Sequence, residues 1–526
     1  MSRLTLTKRR KARIRREALS VGQAALGALL VGGVVWAGTQ PAVTDRIDAL
    51  SFVQAEAAEQ GQASTTVALE QATLICPGPE LTGLEGAREV VLATQGSVVA
   101  PPLEVLGDIP QPVGQAGLEL LAPTSAASEP VSAEDPGSGV TSTLSEPTAY
   151  LAVGYGSVAP GMVATQEVRA ETEEVVGLAT VPCQAPTSSS WVLGGGGDAG
   201  RAERLIISNP GSNPVTVDIT AYGVEGTSTP ADGQGVVVPA QGRVVLLVDG
   251  LVPGESAPAF RIEAVGGDVA AVMVETAIEG TRPMGMDTIA AAAEPAEEQV
   301  VAGVLVPAEG AGTVTLRVVN PGEAEIIGTV TVLTATGELP LPDAVLRAPA
   351  GSVVDVPLQG LPAGPTSLAV NADAPIVAAV RTQLAGTTFD AGWAVSQPPA
   401  GGAQGDAETP GAATDGASAH VAGAALPARE GISRSAVISA RGAGATVQVT
   451  QLVGGEVSAS EVLVPTDGTV VVPLTGSGVW LEVSEGDGQV YAAVLSTNIE
   501  GAAAISSMPV IQPEVSARRS EVIPIG

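Results

Sequence analysis

Few residues of this chain have the types and spacing that chemistry requires, and the carboxylates come first. There are 56 Asp+Glu in 526 residues, and a glycosidase needs only two acids facing each other across a cleft. Glu275 and Glu279 flank the end of a predicted strand. No second acid at a defined separation pairs with either, so they read as solvated strand-end groups. The single histidine, His420, sits in a low-complexity stretch. Triads and most zinc sites draw on imidazoles that this composition does not supply. Gly195-x-Gly197-x-x-Gly200 has the spacing of a dinucleotide fingerprint. That chemistry needs a strand before it, a helix after it and an acid about twenty residues on. Here serines precede the glycines and the β-type run 204–208 follows, so a flexible turn is expected. Asp-Gly pairs at Asp232, Asp467 and Asp487 read as tight turns. None has the acid spacing of a calcium loop, and no metal or cofactor is expected.

Two further residue types remain. Aromatics make up only 2% of the chain, and sugar-binding modules stack exposed rings on sugar CH groups. Trp191 and Trp393 stand beside glycine at unit boundaries; burial in a core or domain joint is the expected reading for both, with exposure as contact residues the alternative. Trp480 is the third tryptophan beyond the N-terminal segment. Cys76 and Cys183 lie 107 positions apart, which is not the CxxC spacing of a redox pair. In an oxidising compartment they are expected to form a disulfide, with two free thiols as the alternative.

The charge distribution suggests the compartment. Residues 1–16 hold eight basic side chains and no acid, and 22 uncharged residues run from Ala18 to Thr39. As a helix that run spans about 33 Å, enough to cross a bilayer. The basic flank predicts a cytoplasmic N-terminus and an exterior bulk; a cleaved signal peptide ending near Ala37 is the alternative. Beyond residue 17, 16 basic residues face 55 acidic ones. Such a surface repels phosphate backbones and argues against nucleic-acid partners. Its simplest role is solubility.

From about Thr65 the chain turns to short β-branched runs punctuated by Gly and Pro, which predict strands and turns. It also repeats itself. Residues 203–280 and 313–386 each hold a strand ending in Asn-Pro (Asn209-Pro210, Asn320-Pro321), and the two pairs are 111 positions apart. A third copy, 433–501, lacks Asn-Pro. A shorter motif recurs as VVGLATVPC (175–183), VVAGVLVPA (300–308) and HVAGAALPA (420–428). The fold class expected is all-β: tandem immunoglobulin-like β-sandwich units behind an N-terminal transmembrane helix, with one continuous or closed β array as the rival. The boundaries expected are a basic tip at 1–16, a membrane helix at 17–40, a stalk at 41–63, and β domains at 64–187, 188–295, 296–397 and 419–512. A disordered insert is expected at 123–148, a disordered linker at 398–418 and a tail at 513–526.

LICPGP (74–79), GLATVPCQAP (177–186), Ser190-Trp191, Gly194–Gly197 and LIISNP (205–210) together resemble a family of uncharacterised, membrane-anchored or secreted actinobacterial proteins with a domain of unknown function. The resemblance implies an extracytoplasmic protein and matches Cys76 and Cys183 to the family's cysteine pair. It implies no activity. The expectation is a non-enzymatic envelope protein held in the membrane by its N-terminal helix, with envelope proteins or polysaccharide as partners. A glycan-binding module is the second reading and a carboxylate-dependent hydrolase the third.

Overall fold

A computed structural model describes residues 65–80, 93–107, 109, 111–122, 133–197, 199–341, 344–386, 388–400, 421–498 and 503–519. The chain forms two compact units. The smaller comprises 1–67 and 518–526; β1 (Thr65–Ala68) and β34 (Ser516–Arg519) pair as a two-stranded sheet. Everything below concerns the larger unit, 68–517.

One sandwich topology recurs four times in that unit. The first copy holds β2 (Gln71–Cys76), β3 (Ala93–Val99), β4 (Gly117–Leu121), β5 (Gly139–Thr143), β6 (Tyr150–Tyr155), β7 (Val163–Glu171) and β8 (Val176–Pro182). Its sheets are ordered β2-β6-β4 and β5-β3-β7-β8. The second holds β9 (Ser189–Leu193), β10 (Arg201–Asn209), β11 (Val215–Gly223), β12 (Gly226–Ser228), β13 (Val236–Val238), β14 (Gly242–Leu247), β15 (Ala259–Val265), β16 (Ala270–Glu279) and β17 (Arg282–Ile289). Its sheets are β12-β11-β15-β9 and β14-β10-β16-β17.

The third copy holds β18 (Ala296–Val306), β19 (Gly312–Val319), β20 (Ile326–Thr334), β21 (Gly337–Pro340), β22 (Leu346–Ala348), β23 (Val353–Leu358), β24 (Gly364–Leu384) and β25 (Asp390–Val395). Here β24 passes from one sheet to the other, pairing β18 and β20 with its first half and β19 and β25 with its second. The fourth holds β26 (Val421–Ala425), β27 (Ile432–Arg441), β28 (Ala445–Val453), β29 (Glu456–Val464), β30 (Gly468–Leu474), β31 (Gly478–Glu485), β32 (Gln489–Asn498) and β33 (Ile505–Pro509). Its sheets are β26-β31-β28-β29 and β30-β27-β32-β33.

The two sheets of each copy have different burial patterns. In β11 and β20 the first five residues alternate between buried and exposed, the mark of a sheet with one face in solvent. In β16 and β25 consecutive residues are buried on both faces. The reason is that the last strands of the four copies, β8, β17, β25 and β33, pack side by side, and β33 packs back on β8. The sandwiches thus close into a ring with one sheet of each copy turned inward. Close approach at the axis excludes side chains: a Cβ on Gly285 would lie 2.4 Å from the Ala391 nitrogen, and one on Gly177 would lie 2.5 Å from Asp390 Oδ1. This is why a chain so poor in aromatics packs well, since Ala, Val and Gly let backbones approach.

Several expectations need correction. The β-sandwich units are present, but among the described residues no helix is long and apolar enough to cross a membrane. The helices α1 (Leu103–Leu106) and α2 (Val248–Leu251) have four residues each. The segment expected to span the bilayer, 17–40, lies outside the described residues, as do the basic tip and the stalk. The single-pass topology, the cell-membrane localisation and the anchoring role therefore have no membrane-crossing helix to rest on and are set aside. The insert expected to be disordered contains β5, paired with β3; its acidic and Pro-rich composition concealed one short alternating run. Residues 401–418 of the linker lie outside the described residues. The short recurring motif marks two different strands: β8 closes the first copy, whereas β18 and β26 open the third and fourth. Both kinds of strand are rich in small residues because both pack against a neighbouring copy.

The Asn-Pro pairs do more than turn the chain. Asn209 and Asn320 are fully buried. The Asn320 amide donates to the carbonyls of Ala324, Ala348 and Pro349 at 2.7, 3.0 and 2.9 Å, and its oxygen accepts from Gly322 N–H at 2.9 Å. Asn209 does the same with Asn213, Val238, Pro239 and Gly211. The fourth copy replaces this clamp from the opposite side. Asp467, at φ 48° in the position of Gln241 (φ 50°), accepts from Gly442 N–H at 3.0 Å. Asn320→Ala leaves buried carbonyls without donors and is expected to lower stability by about 1–3 kcal/mol. Asp467→Ala, at a solvated turn, is expected to cost less, and urea unfolding of the two variants measures the difference.

Candidate functional site

The buried charges gather where the copies meet. Glu203 on β10 and Glu275 on β16 are direct cross-strand partners, and they are 4% and 2% exposed. Glu275 receives Arg201 Nη2 at 2.5 Å, Trp393 Nε1 at 2.8 Å, Gly195 N–H at 3.2 Å and Arg381 Nη2 at 3.4 Å. Burial pushes its carboxyl up, but Arg201, Arg381 and the indole outweigh that and bring it to about 2. Glu203 accepts from Gly196 N–H at 3.0 Å. Burial and then the charge of Glu275 raise it to about 7, against the pull of Arg201.

Arg317, on β19 of the third copy, reaches across the same joint. Its Nη1 donates to the carbonyls of Gly194, Gly195 and Pro258 at 2.9, 3.1 and 3.1 Å. It also pairs with Asp355 through two bonds of 2.8 Å and lies 5.0 Å over the Trp393 ring. The glycine run 194–196 is therefore a buried receptor for charged side chains of two copies, and neither a flexible turn nor a phosphate cradle. The other joints use the same chemistry. Arg243 of the second copy pairs with Glu80 of the first at 2.7 Å. Arg429 and Arg434 of the fourth copy hold Glu167 of the first, and Arg441 of the fourth pairs with Glu298 of the third at 2.5 Å.

All four copies meet at Asp390, which is fully buried. Its carboxylate accepts from Ile505 N–H of the fourth copy and Ala391 N–H of its own at 2.9 Å each, from Leu178 N–H of the first at 3.2 Å and from Met286 N–H of the second at 3.4 Å. Burial pushes this carboxyl well above the usual range, and the amides at Ile505, Ala391 and Leu178 pull against it. Beside it, Asp287 accepts from Trp393 N–H at 2.6 Å and is likewise pushed up by burial.

Of the residues singled out in the sequence, Glu275 is mid-strand and buried, while Glu279 is exposed and pairs with Arg282. Trp191 and Trp393 are each 2% exposed. Trp191 packs on Tyr222, with ring centroids 5.2 Å apart, and Trp393 is held by Glu275. Neither ring faces solvent, so the exposed-platform reading loses its residues. Trp480 is also buried and donates to the Gly161 carbonyl of the first copy at 3.1 Å. Cys76 and Cys183 form a disulfide within the first copy. Among the described residues no group of three or more His, Cys, Asp or Glu could hold a metal ion. Sequence reasoning missed Glu203, Asp287, Arg317, Arg381 and Asp390. The only available signal was a charge inside an otherwise apolar run, as in LRVV, AAVRTQ and DAGWAV.

Glu203 near 7 beside Glu275 near 2 has the split expected of a general acid and base. A cavity of about 840 Å³ opens nearby, between the β7–β8 turn and the second copy. Its wall includes Glu173, Glu174, Arg201, Thr276, Ile278 and Pro283, and neither Glu203 nor Glu275. Arg201 lines the cavity while its guanidinium is engaged with Glu275 and Glu203, and the two carboxyls are absent from the cavity wall.

Two expectations follow. The folded-state value of Glu203 lies above its ordinary 4.5, so its contribution to stability is full below about 4.5 and is lost as pH rises to about 7. Glu203→Gln, neutral at every pH, is expected to be more stable than the native chain at pH 8 by about 1–3 kcal/mol and to lose that advantage near pH 4. Thermal midpoints across that range check it. Asp390→Ala strands amides from all four copies and is expected to cost at least about 3 kcal/mol. Limited proteolysis should then cut between sandwiches before it cuts within them.

Comparisons with known proteins give the chain a family. No curated protein matches it. Among solved structures, Thermotoga maritima 1070 is similar at 14% identity and a TM-score of 0.18, over 19% of this chain and 93% of that one. A biofilm-associated protein, BSP domain, is similar at 9% identity and 0.14, over 86% and 99%. The Streptomyces avermitilis alpha-L-rhamnosidase complexed with L-rhamnose is similar at 12% and 0.12, over 78% and 58%. Scores this low bear on neither mechanism nor partner. The family of unknown function DUF5719 matches residues 139–475, more than half of the 526 residues, and the chain belongs to that family.

Proposed function

We propose that this protein is a secreted, non-enzymatic module with a structural or protein-interaction role. The observation that carries the reading is the use made of its buried charge. The carboxyl pair Glu203 and Glu275, one raised to about 7 and the other lowered to about 2, is enclosed by Arg201, Arg381, Trp393 and backbone amides at a joint. Groups so bound orient neighbouring sandwiches, and a catalytic acid must instead reach its substrate. The Cys76–Cys183 disulfide supports work in an oxidising compartment, in keeping with the resemblance to membrane-anchored or secreted actinobacterial proteins. The acidic surface supports solubility at high local concentration.

The test compares the full chain with Glu203→Gln on chromogenic glycosides, esters and peptides from pH 4 to pH 8. The expected result is the same blank rate for both. Turnover by the native protein that disappears in a folded Glu203→Gln variant would overturn the reading.

A further inference from the structure

The fourth sandwich carries a sheet edge unlike those of the second and third. Its edge strand β29 has nine residues, whereas the counterparts β12 and β21 have three and four. The hairpin that creates it turns on Gly454 and Gly455, at φ 61° and 86°, a turn whose twist suits long paired strands. Residues 456–461 are all exposed, and Val457 and Leu463, on one face, are 40% and 74% exposed. Among the described residues β29 pairs, within its sheet, only with β28. Its outer edge therefore offers unpaired N–H and C=O groups, which a second strand can take up.

The residues on that edge specify the partner. Copies related by a two-fold axis through the sheet pair antiparallel, with opposed residues on the same face. Centring on Ser460 sets Val457 opposite Leu463 twice, Glu461 opposite Ala459 and Glu456 opposite Val464. Centring on Glu461 opposes that glutamate to itself, and centring on Ala459 sets Val457 against Glu461. Apolar partners opposite one another stabilise a strand pair and like charges destabilise it. We propose that β29 pairs with β29 of a second copy, antiparallel about Ser460, so that two outer sheets join into one across a two-fold axis. This is independent of whether the protein is an enzyme. The net charge of −32 on each chain opposes the contact, so salt strengthens it by screening.

Sedimentation velocity of the full chain over a wide concentration range, in low salt and in about 0.5 M salt, tests the pairing. The native protein is expected to dimerise with concentration, more tightly in high salt. Val457→Glu with Leu463→Glu sets Glu against Glu twice and is expected to weaken the dimer at least about tenfold. Val457→Lys with Leu463→Glu sets Lys against Glu twice and is expected to restore it. Both positions are exposed, and unchanged thermal midpoints check that the variants fold. A native monomer at every concentration, which would leave the edge to solvent or to another kind of chain, would overturn the proposal. So would a dimer indifferent to the first variant, or no recovery in the second.

Discussion

The architecture depends on one carboxylate. Asp390 collects backbone N–H groups from four sandwiches on two oxygens, at a point where every neighbouring strand is buried. A strand at a domain boundary usually keeps one face in solvent. Here the last strand of each copy is packed against the next, so backbone groups lose water and need partners from other copies. The acid satisfies amides that no ladder can reach. Gly177 and Gly285, beside it, keep the strands close enough for those bonds to form.

The same constraint explains the arginines. A buried ion pair stabilises little relative to apolar packing, but it strongly penalises a wrong arrangement, because a misplaced partner leaves a charge unpaired in a dry site. Four homologous sandwiches could dock in several wrong orders. Each joint has its own arginine–carboxylate set: Arg243 with Glu80, Arg381 with Glu275, Arg441 with Glu298, and Arg429 and Arg434 with Glu167, while Arg317 adds bonds to carbonyls of the second copy. Specific docking of similar parts is a role for buried charge that composition alone conceals.

The fourth copy shows how the repeat tolerates change. It lacks the clamping asparagine, yet Asp467 supplies an acceptor from the facing turn and Arg441 ties the same loop to the third copy. The strand order is kept, and the edge strand of that copy is extended to nine residues. A sandwich can vary at its outer rim while its inner sheet, fixed on both faces by neighbours, cannot.

The sequence by itself determined the local structure: β-branched alternation set the strands, Gly and Pro the turns, and the repeated Asn-Pro spacing exposed the tandem units, because these signals act within a few residues. It placed Cys76 and Cys183 as a possible pair but could not bring them together. It anticipated burial of both tryptophans but misjudged the glycine run and Glu275, whose partners include Arg317, Arg381 and Trp393, more than a hundred positions away. Closure of the ring was decided only by tertiary structure. Burial on a second face depends on which copies pack together, and an alternating strand looks the same in sequence whether its other side meets water or another sandwich.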